Sequence, residues 1–355
     1  MSSAEAPPAG ASLLAEIHEQ PAAFGRLLEH EDEYARVAAV ARDRGATTIR
    51  MVGHGSSDNA AAYGVYAFGL LSGWTALRDS ISLTIYYGAD LDLRGSTVVG
   101  LSQSGRTPDV VEYVERARQA GAFTVALTNH PESELGAVAE AVLPIGAGPE
   151  RSIAATKTYS ATVAALALLA GHGGGRGREV ADGIRATAER FEALLETLEP
   201  QVPRVALAFA FVGRMFVVGR GLEFATAREI ALKLLETCRV AAEPLTATDL
   251  AHGPVAALDP NFPVWTIASD EETLPAVLDA AARARQAGAT LLASGSAADR
   301  VEGAAFALPA SEPPLRVLGP LLSVAPGQLF AWALARAKGL DPDRPDGLTK
   351  VTLAR

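Results

Sequence analysis

The chain has 355 residues, 49% of them hydrophobic and 20% charged, and a net charge of −10. That length allows two ordinary domains, the apolar content excludes a disordered chain, and the acidic balance argues against a nucleic-acid or anionic-membrane surface. Cys238 is the single cysteine, which excludes an intrachain disulfide and leads us to expect a reducing, cytoplasmic location.

The opening, MSSAEAPPAGAS, carries no basic segment followed by an apolar one, so no signal peptide is expected and residues 1–12 read as disordered. Leu13–Val40 reads as one or two helices with Glu and Arg outward. Thr47–Val52 is a predicted strand that runs into Gly53-His54-Gly55-Ser56-Ser57-Asp58-Asn59, followed by an alanine-rich helix, Ala60–Leu71. A second strand is predicted near Ser82–Tyr87. The stretch VVGLSQSGRTPDVV follows: Val98–Leu101 as a buried strand, then a glycine turn, then a helix to Ala120 capped by Thr107 with Pro108 in its first turn. Phe123–Thr128 and Ala141–Ile145 are predicted strands flanking a helix at Glu132–Ala141, and Thr156–Leu169 is an apolar helix. Strands alternating with helices of this size imply an α/β fold with a parallel sheet covered on both faces.

Gly171–Gly177 (GHGGGRG) reads as a flexible linker and Arg178–Leu198 as a charged connecting helix. The pattern then restarts. Strands are predicted at Arg214–Val218, Val264–Ala268, Thr290–Ala293 and Ala304–Leu308, with helices at Glu223–Thr237, Leu274–Ala287 and Leu318–Lys338. This divides the chain into a helical segment (1–45), a first α/β domain (46–171), a linker and connecting helix (172–200), a second α/β domain (201–340) and a polar tail (341–355). The longest apolar runs, such as Val205–Val212, are too short to cross a bilayer, so no membrane contact is expected.

The halves repeat each other. RARQAGA occurs at Arg116–Ala122 and again at Arg283–Ala289, and MVGHG at Met51 pairs with VVGRG at Val217 at nearly the same offset. Ser102, Gln103 and Ser104 then correspond to Ser269, Asp270 and Glu271. Two carboxylates repel a phosphate dianion, so one phosphate site per chain is expected, in the first copy.

Three constellations carry chemistry. Ser56, Ser57, Ser102, Gln103, Ser104 and Thr107 follow two strands of one parallel sheet, at strand ends and helix N-termini that favour anions. An ordinary polar βα turn is the bland alternative. Glu229, Lys233 and Glu236 share one face of a helix that is apolar nearly all round, so they are expected to be buried with shifted pKa values. An exposed Glu–Lys pair is the alternative. His252, in Asp249–Pro254, stands in the last turn of a helix ending at a glycine. The other histidines form no metal-binding spacing, so no metal is expected.

GSSDN, SQSGRTPD, AATKTY (Ala154–Tyr159), EIALKLLE, AHGP and DRPDGLTKVT together resemble the sugar isomerase (SIS) domain family, most of all the isomerase half of glutamine–fructose-6-phosphate aminotransferase. The resemblance runs in order from about Ala46 to the end. It implies two SIS domains, each a five-stranded parallel sheet between helices, in a homodimer. It implies that Ser56, Ser57, Ser102, Gln103, Ser104 and Thr107 hold a sugar 6-phosphate, and that Glu236 moves a proton between C1 and C2. It further implies that His252 opens the sugar ring in a neighbouring subunit's site, that Lys350 forms a Schiff base with the ketose, and that Glu229 and Lys233 support the site. Leu235 replaces a lysine of the family's LKLKE, and Arg106 stands where an acid is common. The chain begins Met1-Ser2-Ser3 and has no room for the glutaminase domain with its N-terminal cysteine, so no ammonia release from glutamine is expected.

The expected function is therefore an amino-sugar phosphate deaminase/isomerase, with glucosamine 6-phosphate as the favoured substrate. A deglycase of 6-phosphorylated ketosamines and a non-catalytic sugar-phosphate sensor are the alternatives. No cofactor is expected, since no hydride or electron moves.

Overall fold

A computed structural model describes residues 8–350. Three helices open the chain, α1 (Ala11–His18), α2 (Gln20–Leu28) and α3 (Glu31–Asp43). The first α/β unit runs β1 (Thr48–Val52), α4 (Ser56–Ser72), β2 (Thr75–Arg78), α5 (Ile81–Ile85), β3 (Ser96–Leu101), α6 (Pro108–Gln119), β4 (Phe123–Thr128), α7 (Glu134–Val138), β5 (Ala141–Pro144) and α8 (Lys157–Gly173). The long helix α9 (Gly177–Leu198) leads to α10 (Val202–Ala208). The second unit then runs β6 (Arg214–Gly219), α11 (Glu223–Cys238), β7 (Ala241–Thr246), α12 (Ala247–Ala251), β8 (Val264–Ile267), α13 (Leu274–Gln286), β9 (Leu291–Gly295) and β10 (Phe306–Pro309). It closes with α14 (Gly319–Ser323) and α15 (Ala325–Ala337).

Both sheets are five-stranded and parallel, in the orders β2-β1-β3-β4-β5 and β7-β6-β8-β9-β10. The second order is the first one repeated, so the chain holds two copies of one α/β unit. The repeated RARQAGA segments end α6 and α13, and each passes into a left-handed glycine, Gly121 and Gly288. Central strands β3 and β4 are buried on both faces, as continuous apolar runs covered by helices require. The helix α8 is buried along almost its whole length, packing on α4, α3 and α9. The stretch 316–337 is long and apolar enough to cross a membrane, contrary to the expectation drawn from shorter runs, but it is wholly buried in the protein core.

Four readings change. The second strand is Thr75–Arg78, and Ser82–Tyr87 falls on α5, whose Ile81 and Thr84 turn inward at helical spacing. The edge strand β7 was not foreseen: it carries exposed Ala241 and Glu243, and a proline, with no apolar alternation. Gly171–Gly177 is not a flexible linker. Helix α8 runs on to Gly173, a short turn follows, and α9 begins at a buried Gly177. The N-terminal segment has three helices, and residues 8–12 are held in place: Gly10 and Ser12 donate their N–H groups to Asp341 and Asp343. Residues 1–7 and 351–355 lie outside the described residues.

Candidate active site

Strands β1 and β3 are neighbours, with Val52 level with Gly100. Chain connections leave them in opposite directions, which opens a crevice at their carboxyl ends. The turns after the two strands meet there. Ser56, Ser57, Ser102, Gln103, Ser104 and Thr107 all line one cavity of about 470 Å³. Gly105 makes the second turn possible: its φ is +64°, and a Cβ there would collide with Ser133 Oγ. Thr107 sits at the N-cap of α6, with Pro108 following, but its side chain makes no cap hydrogen bond. Its hydroxyl instead lies 3.0 Å from Ser102 Oγ. The positive dipole ends of α4 and α6, plus these hydroxyls, suit an anion.

Glu236 and Lys350 line the same cavity. Glu236 comes from α11, which packs against α4, so the second copy delivers a carboxylate to the first copy's crevice. One and two turns back along α11, Lys233 and Glu229 lie buried, outside the cavity lining. Lys233 Nζ is 2.6 Å from Glu236 and 3.3 Å from Glu229. Ser56 Oγ and Asn59 Nδ2 donate to the two Glu229 oxygens at 2.9 and 2.8 Å. Burial pushes the Glu229 carboxyl up, against the pull of Lys233 and the Asn59 hydrogen bond. Burial pulls the Lys233 ammonium down, but Glu229 and Glu236 outweigh it, and the net shift is upward. The bland reading of an exposed pair is thereby excluded for Glu229 and Lys233.

The tail brings Lys350 in from far along the chain. Its ammonium donates to Glu150 Oε2 at 2.7 Å and to the Ser152 carbonyl at 2.6 Å. Glu150 is itself buried and also accepts from the N–H groups of Thr156 and Thr158 and from the Thr158 hydroxyl. Burial would raise the Glu150 carboxyl, yet Lys350 and the Thr158 donors hold it below the ordinary range.

His252 is not among these groups. It is the exposed C-cap residue of α12, a helix closed at its start by a Thr246–Asp249 capping box. Sequence reasoning gave no role to Glu150 or to His54 and Asp109, which also line the cavity with His54 Nε2 2.7 Å from Asp109 Oδ2. His54 follows a strand and precedes the serine pair, a position that marks it as a cavity residue. Nothing local marks Glu150.

The equivalent turn in the second copy is closed. Glu223, which corresponds to Ser57, turns its carboxylate into it. Glu223 accepts from Ser269 Oγ at 2.7 Å, Ser323 Oγ at 2.8 Å and Thr226 Oγ1 at 2.7 Å. Burial raises this carboxyl, with the three hydroxyls opposing. A void of only about 10 Å³ remains.

Comparison with known proteins agrees with this architecture. The family model for the SIS domain matches twice, at residues 44–171 and 209–335. A glutamine–fructose-6-phosphate aminotransferase (isomerizing) of Gloeobacter violaceus is 33% identical over 356 residues, covering 95% of this chain and 58% of that protein. The Thermus thermophilus protein of the same name is 31% identical over 353 residues, with the same two coverages. The chain thus spans 58% of the length of these relatives. The C-terminal domain of the Francisella tularensis glucosamine–fructose-6-phosphate aminotransferase superposes with a TM-score of 0.85 at 23% identity, covering 96% of this chain and all of that one, a likeness of fold.

Proposed function

The chain belongs to the SIS domain family, and from that premise we propose that it is an amino-sugar phosphate deaminase/isomerase that converts glucosamine 6-phosphate to fructose 6-phosphate and ammonia. One observation carries the reading: Glu236 and Lys350 line the same cavity as the six-residue hydroxyl and amide turn. An anion seat, a carboxylate and an amine in one chamber suit a phosphorylated sugar that must exchange protons at carbon.

In this reading the sugar's 6-phosphate sits among Ser56, Ser57, Ser102, Gln103, Ser104 and Thr107. The hemiacetal opens to the C1 aldehyde, assisted by His252 of a neighbouring subunit in a homodimer. Glu236 takes the C2 proton, giving an enolamine, and returns a proton to C1, giving the C2 iminium. Water adds to C2 and ammonia leaves, so the products are fructose 6-phosphate and ammonia. Alternatively Lys350 displaces ammonia from C2, and water then hydrolyses its Schiff base. Glu150 holds Lys350, and Lys233 with Glu229 sets the position of Glu236.

A second reading, a deglycase of 6-phosphorylated ketosamines, is favoured by a separate cavity of about 750 Å³ between α11 and the tail. It shares Glu236 with the first cavity and is lined in part by Leu235, Arg239 and Leu348, giving room for a substituent on the leaving amine. Ammonia release from a panel of amino-sugar and ketosamine 6-phosphates tests both. Ammonia equal to fructose 6-phosphate from glucosamine 6-phosphate is the expected result. Release of an amino acid from a ketosamine, with none from glucosamine 6-phosphate, selects the second reading. Tight binding with no turnover selects the sensor.

A further inference from the structure

One buried carboxyl outside the cavity has no part in the chemistry above. Glu16, in the middle of α1, is 4% exposed. Its carboxylate accepts the backbone N–H groups of Arg151 and Ser152. These residues follow Glu150 in the loop between β5 and α8, the loop whose Glu150 carboxylate and Ser152 carbonyl grip Lys350. The same helix holds the tail. Asp343 accepts the N–H groups of Ser12 and Leu13 at 2.9 and 2.7 Å, at the start of α1 where helix donors are free. Asp341 accepts the Gly10 N–H at 3.2 Å, and Ile153 donates its N–H to the Asp343 carbonyl at 3.3 Å.

Three segments far apart in the chain, 10–16, 150–153 and 341–350, therefore close a ring of hydrogen bonds. Lys350 is the point where that ring reaches the cavity with an amine. Several of the bonds engage an ionised acceptor, the stronger kind. A lysine side chain on a surface tail loses much rotamer freedom when it is fixed, so something must hold both its backbone and its ammonium. Helix α1 touches the supports of each.

We propose that α1 is a bracket that positions Lys350, holding the tail through Asp343 and the receiving loop through Glu16. Glu16 and Asp343 are positioning residues in this scheme. Its functional side rests on the role proposed above for Lys350; its structural side does not.

The experiment compares wild type with Glu16→Ala, Glu16→Gln and Asp343→Asn in the full chain, each first checked for folding by circular dichroism. Amide hydrogen exchange is followed in 150–153 and 341–350. Exchange there should rise by about tenfold or more in Glu16→Ala and Asp343→Asn, with Glu16→Gln between because it keeps one acceptor. In parallel, fructose 6-phosphate is trapped on Lys350 with borohydride, and inorganic phosphate binding is measured by calorimetry. Trapping should fall about tenfold in Glu16→Ala while phosphate affinity stays within about twofold, since the phosphate turn lies outside the ring. Should Glu16→Ala fail to fold, the other two variants carry the same comparison. Unchanged exchange in 341–350 for the folded variants overturns the bracket. Altered exchange with no trapping even in wild type removes the Schiff base and upholds the bracket.

Discussion

Lys233 stands between two carboxylates of its own helix, 2.6 Å from Glu236 and 3.3 Å from Glu229. Glu229 and Lys233 are sealed from solvent, whereas Glu236 keeps 24% of its side chain open. The lysine neutralises the sealed carboxylate and at the same time aims the open one at the cavity. Removing one partner of such a buried pair leaves an uncompensated charge, which costs about 3–5 kcal/mol. Lys233→Met should lower unfolding stability by that order in urea titrations. The double variant Glu229→Gln/Lys233→Met should recover part of the loss, because it removes both sealed charges.

The proposed mechanism gives Glu236 and His252 different work. Glu236→Gln keeps shape and hydrogen bonding and removes the base. General bases contribute roughly 10²–10⁴-fold in rate. Proton exchange at C1 of fructose 6-phosphate in deuterated water, followed by NMR, should be clear in wild type, reduced in His252→Ala and at background in Glu236→Gln. Normal exchange in Glu236→Gln would move the base to another group, Glu229 first.

The proposed phosphate seat has its own signature. Ser104 is half-buried, and among the described residues its hydroxyl has a single hydrogen-bond contact, at 3.3 Å with the Arg106 N–H. Ser104→Ala should therefore leave the fold intact and weaken every 6-phosphosugar by about 1.5–3 kcal/mol, the worth of a hydrogen bond to a charged group. Calorimetry with a set of 6-phosphosugars reads this directly, and unchanged affinity would remove Ser104 from the site.

Stability should also depend on pH through Glu16. Burial pushes this carboxyl up to about 7, with Glu150 adding to the push and the Arg151 and Ser152 amides and Lys350 opposing it. An unfolded glutamate has the ordinary value of 4.5. Between these values the folded chain binds more protons than the unfolded one, so this group's contribution weakens as pH rises through the window. Chemical denaturation of wild type and Glu16→Gln across pH 4.5–7 should show a stability difference that shifts in the variant's favour toward neutral pH.

What the sequence showed was what repeats or alternates. The parallel sheets were legible because runs such as Val98–Leu101 and Phe123–Thr128 carry no charged residue and are rich in β-branched and apolar side chains, and the internal copy because RARQAGA recurs at matching places. The misplaced second strand has the opposite cause. Thr75–Arg78 is an edge strand with largely exposed side chains, so it carries no apolar signal, while Ser82–Tyr87 is rich in residues that favour strands. The serine turns and the Glu229–Lys233–Glu236 face were visible because each is local. Glu150 and Glu16 were not: Lys350, which ties Glu150 to the cavity, lies 200 residues from it, and the amides that Glu16 accepts lie 135 or more residues away, where no period or spacing links them. His252 was singled out from the sequence, and the cavity of one chain does not include it.

Glu223 fills its own turn with a buried carboxyl group, and this makes the two halves of the duplicated chain unequal. Helices α4 and α11 are counterparts in the repeat and pack against each other. One half contributes the hydroxyl-lined turns and the other the Glu236 carboxylate, so a repeated architecture coexists with unequal contributions to one cavity. Such a chain cannot be shortened to one copy. A first half alone would keep the hydroxyl-lined turns without Glu236, and a second half alone would keep Glu236 without those turns. The two copies are thus committed to one shared cavity.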